Sequence, residues 1–158
     1  MLLAQLTDTH ITVPQTKNEN CYVKLEALKK CVIQINKLDT LPDVVIHTGD
    51  LSHNGHEDEY TLTKSIMDEL QVPYLITAGN RDSVKNLVNE FGLTSQRSLD
   101  QHFIQYGADI TSYRLVSVDT SSQDSNLGFL NFQKLAHLDK LLGQNPDRPT
   151  IIFMHHPP

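Results

Sequence analysis

The chain's 158 residues, 39% of them apolar and 20% charged, are ordinary for one soluble globular domain and long enough to bury most of a single core. A net charge of −6 argues against a nucleic-acid surface, since no stripe of Lys or Arg with interleaved aromatics reverses it. No apolar run approaches the roughly 20 residues of a membrane span.

In chain order, Met1 leads straight into the apolar run at residues 2–6. That start is too short and too uncharged for a secretory signal, so a cytoplasmic location is expected. Residues 2–6, 44–47 and 74–77 are short apolar runs, two of them rich in β-branched or aromatic side chains, and read as buried strands. Between the first two, residues 22–38 place Val23, Ala27, Leu28, Val32, Ile35 and Leu38 at helical spacing; between the second and third, residues 57–70 do the same with Tyr60, Leu62, Ile66, Met67 and Leu70. The alternation predicts right-handed crossovers and a mainly parallel sheet with helices against its faces. Residues 83–91 form a further expected helix, and residues 92–101 show no clear period. Residues 102–106 and 111–119 read as a hairpin turning at Gly107, Ala108 and Asp109, followed by a helix over 131–142 and a strand over 150–154. Cys21 and Cys31 fall on one expected helix, about 15 Å apart at ~1.5 Å per residue, beyond disulfide reach. Reduced, buried thiols are expected.

In a parallel α/β sheet, sites gather beyond the carboxyl ends of the strands. Here those ends carry Asp8, Thr9 and His10; Gly49 and Asp50; Gly79, Asn80, Arg81 and Asp82; and His155 and His156. Each has a plain structural reading taken singly: a capped turn, a loop carboxylate, a satisfied histidine. Together they place oxygen and imidazole donors on one rim, a set that suits Mn, Fe, Co or Zn better than calcium, and the lack of Cys among them argues against a structural zinc knot. His53, His56, Asn54 and Gly55 lie in the loop after Asp50. His53 and His56 are candidates to line the substrate pocket, set against the plainer and favoured reading of exposed loop polarity, and Asn54–Gly55 reads as a turn. Asp119 ends a strand and is a candidate to orient a ligand, while His47 is expected to pack against a helix.

The motifs DTH (8–10), GD (49–50), GNRD (79–82) and MHHPP (154–158), with HEDEY at 56–60, together resemble the calcineurin-like metallophosphoesterases. The resemblance is strongest to the branch of class III cyclic nucleotide phosphodiesterases and bacterial glycerophosphodiesterases. It implies an α/β fold, a β-sandwich flanked by helices, and two divalent metal ions. Asp8 and His10 would hold the first metal, Asp50 would bridge both, and Asn80 and His155 would hold the second. The implied reaction is hydrolysis of a small phosphodiester, a 3′,5′-cyclic nucleotide or a glycerophosphodiester, by a metal-bound hydroxide, with no nucleic-acid or membrane partner. Asp82, His156 and His53 are expected beyond the ligand set, supporting it or lining the substrate pocket.

Two departures from that family pattern matter. Arg81 stands where the family carries His. A guanidinium matches phosphate oxygens but cannot release a proton to a leaving group. The family's closing GHxH motif is not found, so residues 1–158 are expected to be the N-terminal part of a metallophosphoesterase domain, with its C-terminal half and second sheet absent. Each metal would then be one protein ligand short. An exposed apolar sheet face would favour a homo-oligomer, another partner chain or instability. The alternative reading is a truncated non-catalytic domain acting through protein contacts. A metal-free nucleotide-binding fold ranks far behind, since no glycine-rich phosphate loop is present.

Overall fold

The computed structural model describes residues 1–13, 19–93, 96–97, 102–122 and 125–158. The elements run β1 (Leu3–Leu6), α1 (Glu19–Asn36), β2 (Val44–His47), α2 (Glu57–Met67), β3 (Tyr74–Ile76), α3 (Val84–Phe91), β4 (Gln96–Arg97), β5 (His102–Phe103), β6 (Tyr106–Ile110), β7 (Tyr113–Val118), α4 (Phe132–Gly143) and β8 (Thr150–Met154). The first three strands form a parallel sheet in the order β1-β2-β3, with Leu3 opposite Val44 and Val45 opposite Tyr74. A second three-stranded sheet, β6-β7-β8, pairs β6 antiparallel and β8 parallel to β7.

Period-2 alternation divides each strand of the first sheet between two cores. Leu6 and Tyr74 face Leu25, Leu28 and Val32 of α1 and Ile66 and Met67 of α2. Leu3, Val44, Ile46 and Leu75 face the other way, against Leu115, Ile151 and Phe153 of the second sheet. The outer face of that second sheet packs Val116 and Val118 on Leu138 and Leu141 of α4. The layers are therefore helices, sheet, sheet, helix, which is the flanked sandwich expected from the motifs. Among the described residues no helix is long and apolar enough to cross a membrane.

Several expectations are corrected. A second sheet is present, because residues 106–118 fold back as a hairpin and Thr150–Met154 joins it in parallel rather than extending the first sheet. The hairpin turns at Thr111 and Ser112, not at 107–109: Ile110 pairs with Tyr113, and Thr111 takes φ 51°. Gly107 lies within β6 because the Arg114 side chain crosses over it, so that a methyl there would fall 2.6 Å from Nη2. On α1 the buried stripe is Leu25, Leu28, Val32 and Ile35, Val23 is exposed, and Leu38, also exposed, lies beyond the helix end at Asn36. Cys31 is a free, exposed thiol rather than a buried one. The open edges β1 and β8 flank a cleft lined by Leu3, Gln5, Ile46, Ile151 and Phe153, and Ile152 stands exposed on the edge strand.

Asp119 holds the fold together instead of facing a ligand. Fully buried, it accepts from Lys134 Nζ (3.1 Å), the Ile104 amide (2.9 Å) and the Ser121 amide and hydroxyl (2.8 and 2.6 Å). This ties the end of β7 to α4 and to the β5–β6 connection. Lys134 is itself 3% exposed, so removing it leaves a buried carboxylate uncompensated. Lys134→Ala is expected to cost about 3–5 kcal/mol, measured as a lowered urea midpoint.

Candidate metal centre

The first strand-end loop runs alongside the second as a continuation of the β1–β2 ladder. The amides of Asp8, His10 and Ile11 donate to the carbonyls of Gly49, Asp50 and Leu51 (3.0, 2.9 and 2.9 Å). Along this path Asp8, His10 and Asp50 take left-handed φ of 54°, 43° and 55°, the only positive values besides Thr111 among described non-glycine residues. Such conformations cost on the order of 1–3 kcal/mol each and cluster at functional sites. Here the strain turns successive side chains onto one rim.

The third loop presses directly on the second. A methyl on Gly49, at φ 104°, would fall 2.7 Å from the Gly79 nitrogen and 2.8 Å from His155 Nδ1, and one on Gly79 would overlap Asp50. The Arg81 amide then donates to Asp50 Oδ1 at 2.8 Å. The Arg81 side chain is exposed.

Asp50 is 3% exposed and has its two oxygens turned to opposite sides. Oδ2 lies 3.4 Å from His10 Nε2, which is also 3.5 Å from Asp8 Oδ1; Oδ1 lies 3.8 Å from His155 Nε2. His155 Nδ1 contacts the Thr48 carbonyl at 2.9 Å, and since a carbonyl only accepts, Nδ1 carries the proton. Nε2 lies 3.1 Å from Asn80 Oδ1 and 3.8 Å from Asp50 Oδ1, so an imidazole nitrogen, an amide oxygen and a carboxylate oxygen converge there. Burial lowers the pKa of His10, which keeps its ring neutral near pH 7 with a lone pair free for coordination. Ligand atoms of Asp8, Asp50 and His155 all lie within 4.8 Å of one another, so oxygen and imidazole donors converge in a set that fits divalent cations.

The remaining sequence-predicted residues surround this set. The His53 ring stands edge-on to His10 with centroids 5.7 Å apart. His156 stands edge-on to His155 at 4.8 Å, accepts from the Thr120 hydroxyl (2.8 Å) and donates to the Asn126 carbonyl (3.1 Å). His56 caps the start of α2, where Glu59 accepts from its amide. Asp82 faces away from the rim and accepts four bonds: from the Ser52 amide and the Tyr60 hydroxyl at Oδ1, and from the Leu51 and Gly79 amides at Oδ2. Burial raises its pKa above the usual carboxylate range.

Sequence reading missed three groups that hold the rim. Tyr60 was counted only as a helix apolar position, yet its hydroxyl also accepts from the Ser83 amide at 2.7 Å. The Thr48 carbonyl fixes the His155 tautomer, and main-chain acceptors leave no mark in a sequence. His47, the register partner of the helix-facing Leu6, also bonds to Thr9 and Gly49; its one visible signal is an imidazole closing the apolar run Val44–His47. Asp82→Asn would aim an amide NH2 at converging N–H donors, so it is expected to destabilise by about 1–3 kcal/mol, measured by urea unfolding.

Comparison with known proteins agrees with this geometry. A family profile described as "Calcineurin-like phosphoesterase" matches residues 1–158. A probable glycerophosphodiester phosphodiesterase of Arcobacter nitrofigilis is 35% identical over 161 residues, covering 100% of this chain and 58% of that protein. A 3′,5′-cyclic-nucleotide phosphodiesterase of Nostoc sp. is 26% identical over 159 residues, covering 99% of this chain and 56% of the relative. The chain thus spans under two thirds of these relatives' length. A dimetal phosphatase from Danio rerio shares the fold, with TM-score 0.67 at 15% identity over 97% of this chain and 68% of that one. With the profile matched from end to end, the chain belongs to the calcineurin-like phosphoesterase family.

Proposed function

We propose that this chain carries the site of a metal-dependent phosphodiesterase acting on small phosphodiesters of the 3′,5′-cyclic nucleotide or glycerophosphodiester type. The observation that carries the reading is the convergence of ligand atoms of Asp8, Asp50 and His155 within 4.8 Å of one another, with Asn80 Oδ1 3.1 Å from His155 Nε2. Two divalent ions would be held by Asp8 and His10 on one side and by Asn80 and His155 on the other, with Asp50 between them. Ions of this kind acidify water and screen the charge of a phosphodiester.

The chain's own residues supply the rest. Arg81, exposed at the rim with its main chain fixed to Asp50, presents a permanently charged fork to phosphate oxygens. It donates no proton to a leaving oxygen, so turnover favours diesters whose leaving groups need none. His53, beside His10, lines the approach to the site, and His156 braces His155 against the segment around Asn126. The names of the Arcobacter and Nostoc relatives support the diester class, and a cytoplasmic setting suits such substrates.

A second reading, a non-catalytic domain working through protein contacts, is favoured by the exposed apolar side chains Leu127 (76%), Phe129 (59%) and Phe132 (91%). Metal content and turnover separate the two. Purified protein stripped with chelator and resupplied with Mn2+ is expected to regain hydrolysis of bis(p-nitrophenyl) phosphate, and Asp50→Asn to lose it. Absence of both metal uptake and turnover in the parent protein would overturn the enzymatic reading.

Arg81→His is expected to raise the rate on an alkyl diester relative to the nitrophenyl diester by about tenfold or more, since a general acid contributes roughly 10²–10⁴-fold where the leaving group needs protonation. An unchanged ratio sinks the role given to Arg81.

A further inference from the structure

His47 is fully buried at the end of β2, beneath the rim and outside the proposed ligand set. Its bonds have one consistent direction. The Thr9 hydroxyl donates to the Leu51 carbonyl (3.1 Å), and its oxygen accepts from His47 Nε2–H (3.0 Å). The opposite ring nitrogen, Nδ1, accepts from the Gly49 amide (3.3 Å). One neutral tautomer satisfies all three bonds, and burial lowers the ring's pKa to about 3, which keeps it neutral at ordinary pH.

The two ends of this relay are the two strained segments. Thr9 sits between Asp8 and His10, both at positive φ, and Gly49 precedes Asp50, also at positive φ. Thr9 otherwise has no long side chain with which to anchor a strained turn. An apolar residue at position 47 would leave the buried Gly49 amide unpaired and release the Thr9 hydroxyl from its only imidazole partner.

We infer that His47 is a positioning residue, a rigid neutral imidazole that clamps the Asp8–Thr9–His10 turn to the Gly49–Asp50 turn and so fixes the spacing of the proposed metal ligands. The inference rests on the metal-dependent reading above. Groups that orient ligands in this way are typically worth about 10–100-fold in metal affinity.

The test uses Co2+ alone as the probe, titrated by its visible absorption, with amide hydrogen exchange of the metal-free protein as a second readout. His47→Phe and Thr9→Val are each expected to weaken Co2+ binding by about 10–100-fold, with far-UV circular dichroism retained and faster exchange at the Asp8 and His10 amides. Because they break one relay, the double variant should bind no more weakly than the worse single. His47→Gln, whose amide nitrogen reaches the Nε2 position, should recover most of the loss.

Parent-level affinity in folded His47→Phe or Thr9→Val, or losses that simply multiply in the double variant, would overturn the assignment. If His47→Phe does not fold, Thr9→Val, altered at a partly exposed position, decides by the same criteria. A parent protein that takes up no Co2+ sinks the metal-dependent reading and this one together, whereas parent uptake with unaltered variants sinks only the role of His47.

Discussion

Gly49 and Gly79 meet with no room for a side chain on either. A methyl on the first would fall 2.7 Å from the nitrogen of the second, so two strand-end loops press main chain against main chain. That contact brings the Arg81 amide onto Asp50 and sets the Asp50 carboxylate between His10 and His155. A side chain at either glycine would separate the loops, and the donors would no longer share a centre. The site is thus built first from backbone proximity, with side-chain chemistry placed upon it.

Holding that proximity falls to groups below the rim. Asp82 gathers the amides of Leu51, Ser52 and Gly79, spanning both loops with one carboxylate, while Tyr60 holds Asp82 from the helix side. On the other flank the extended β1–β2 ladder carries Asp8 and His10 through left-handed conformations. Local strain persists only where surrounding bonds over-determine it, and here the bonds come from three directions: sheet, carboxylate and buried imidazole. Beneath them the strands contribute apolar mass to cores on both faces of the sheet.

The strand-end motifs were legible because short apolar runs stop abruptly at polar residues, and that change survives in a linear string. The helices were legible in existence but less so in facing. α1 carries apolar residues such as Val23 and Ile33 on its solvent side, and Leu38 lies beyond its end, so counting periods selects a partly wrong stripe. Gly107 was misread for a related reason. A glycine that makes space for Arg114 looks, in sequence, the same as one that makes a turn. The Asp119–Lys134 pair was invisible because nothing local shows that a lysine on α4 turns inward. The second sheet was missed since its parallel partner, β8, arrives more than thirty residues after β7.

Position 81 meets Asp50 through its amide and leaves its side chain exposed. The frame of the site therefore constrains that residue only to possess an N–H. Proline is barred there, but any other side chain could be exchanged without dislodging the carboxylate. Such a separation makes position 81 a place where the side chain can change in one substitution while the scaffold that gathers the donors stays the same.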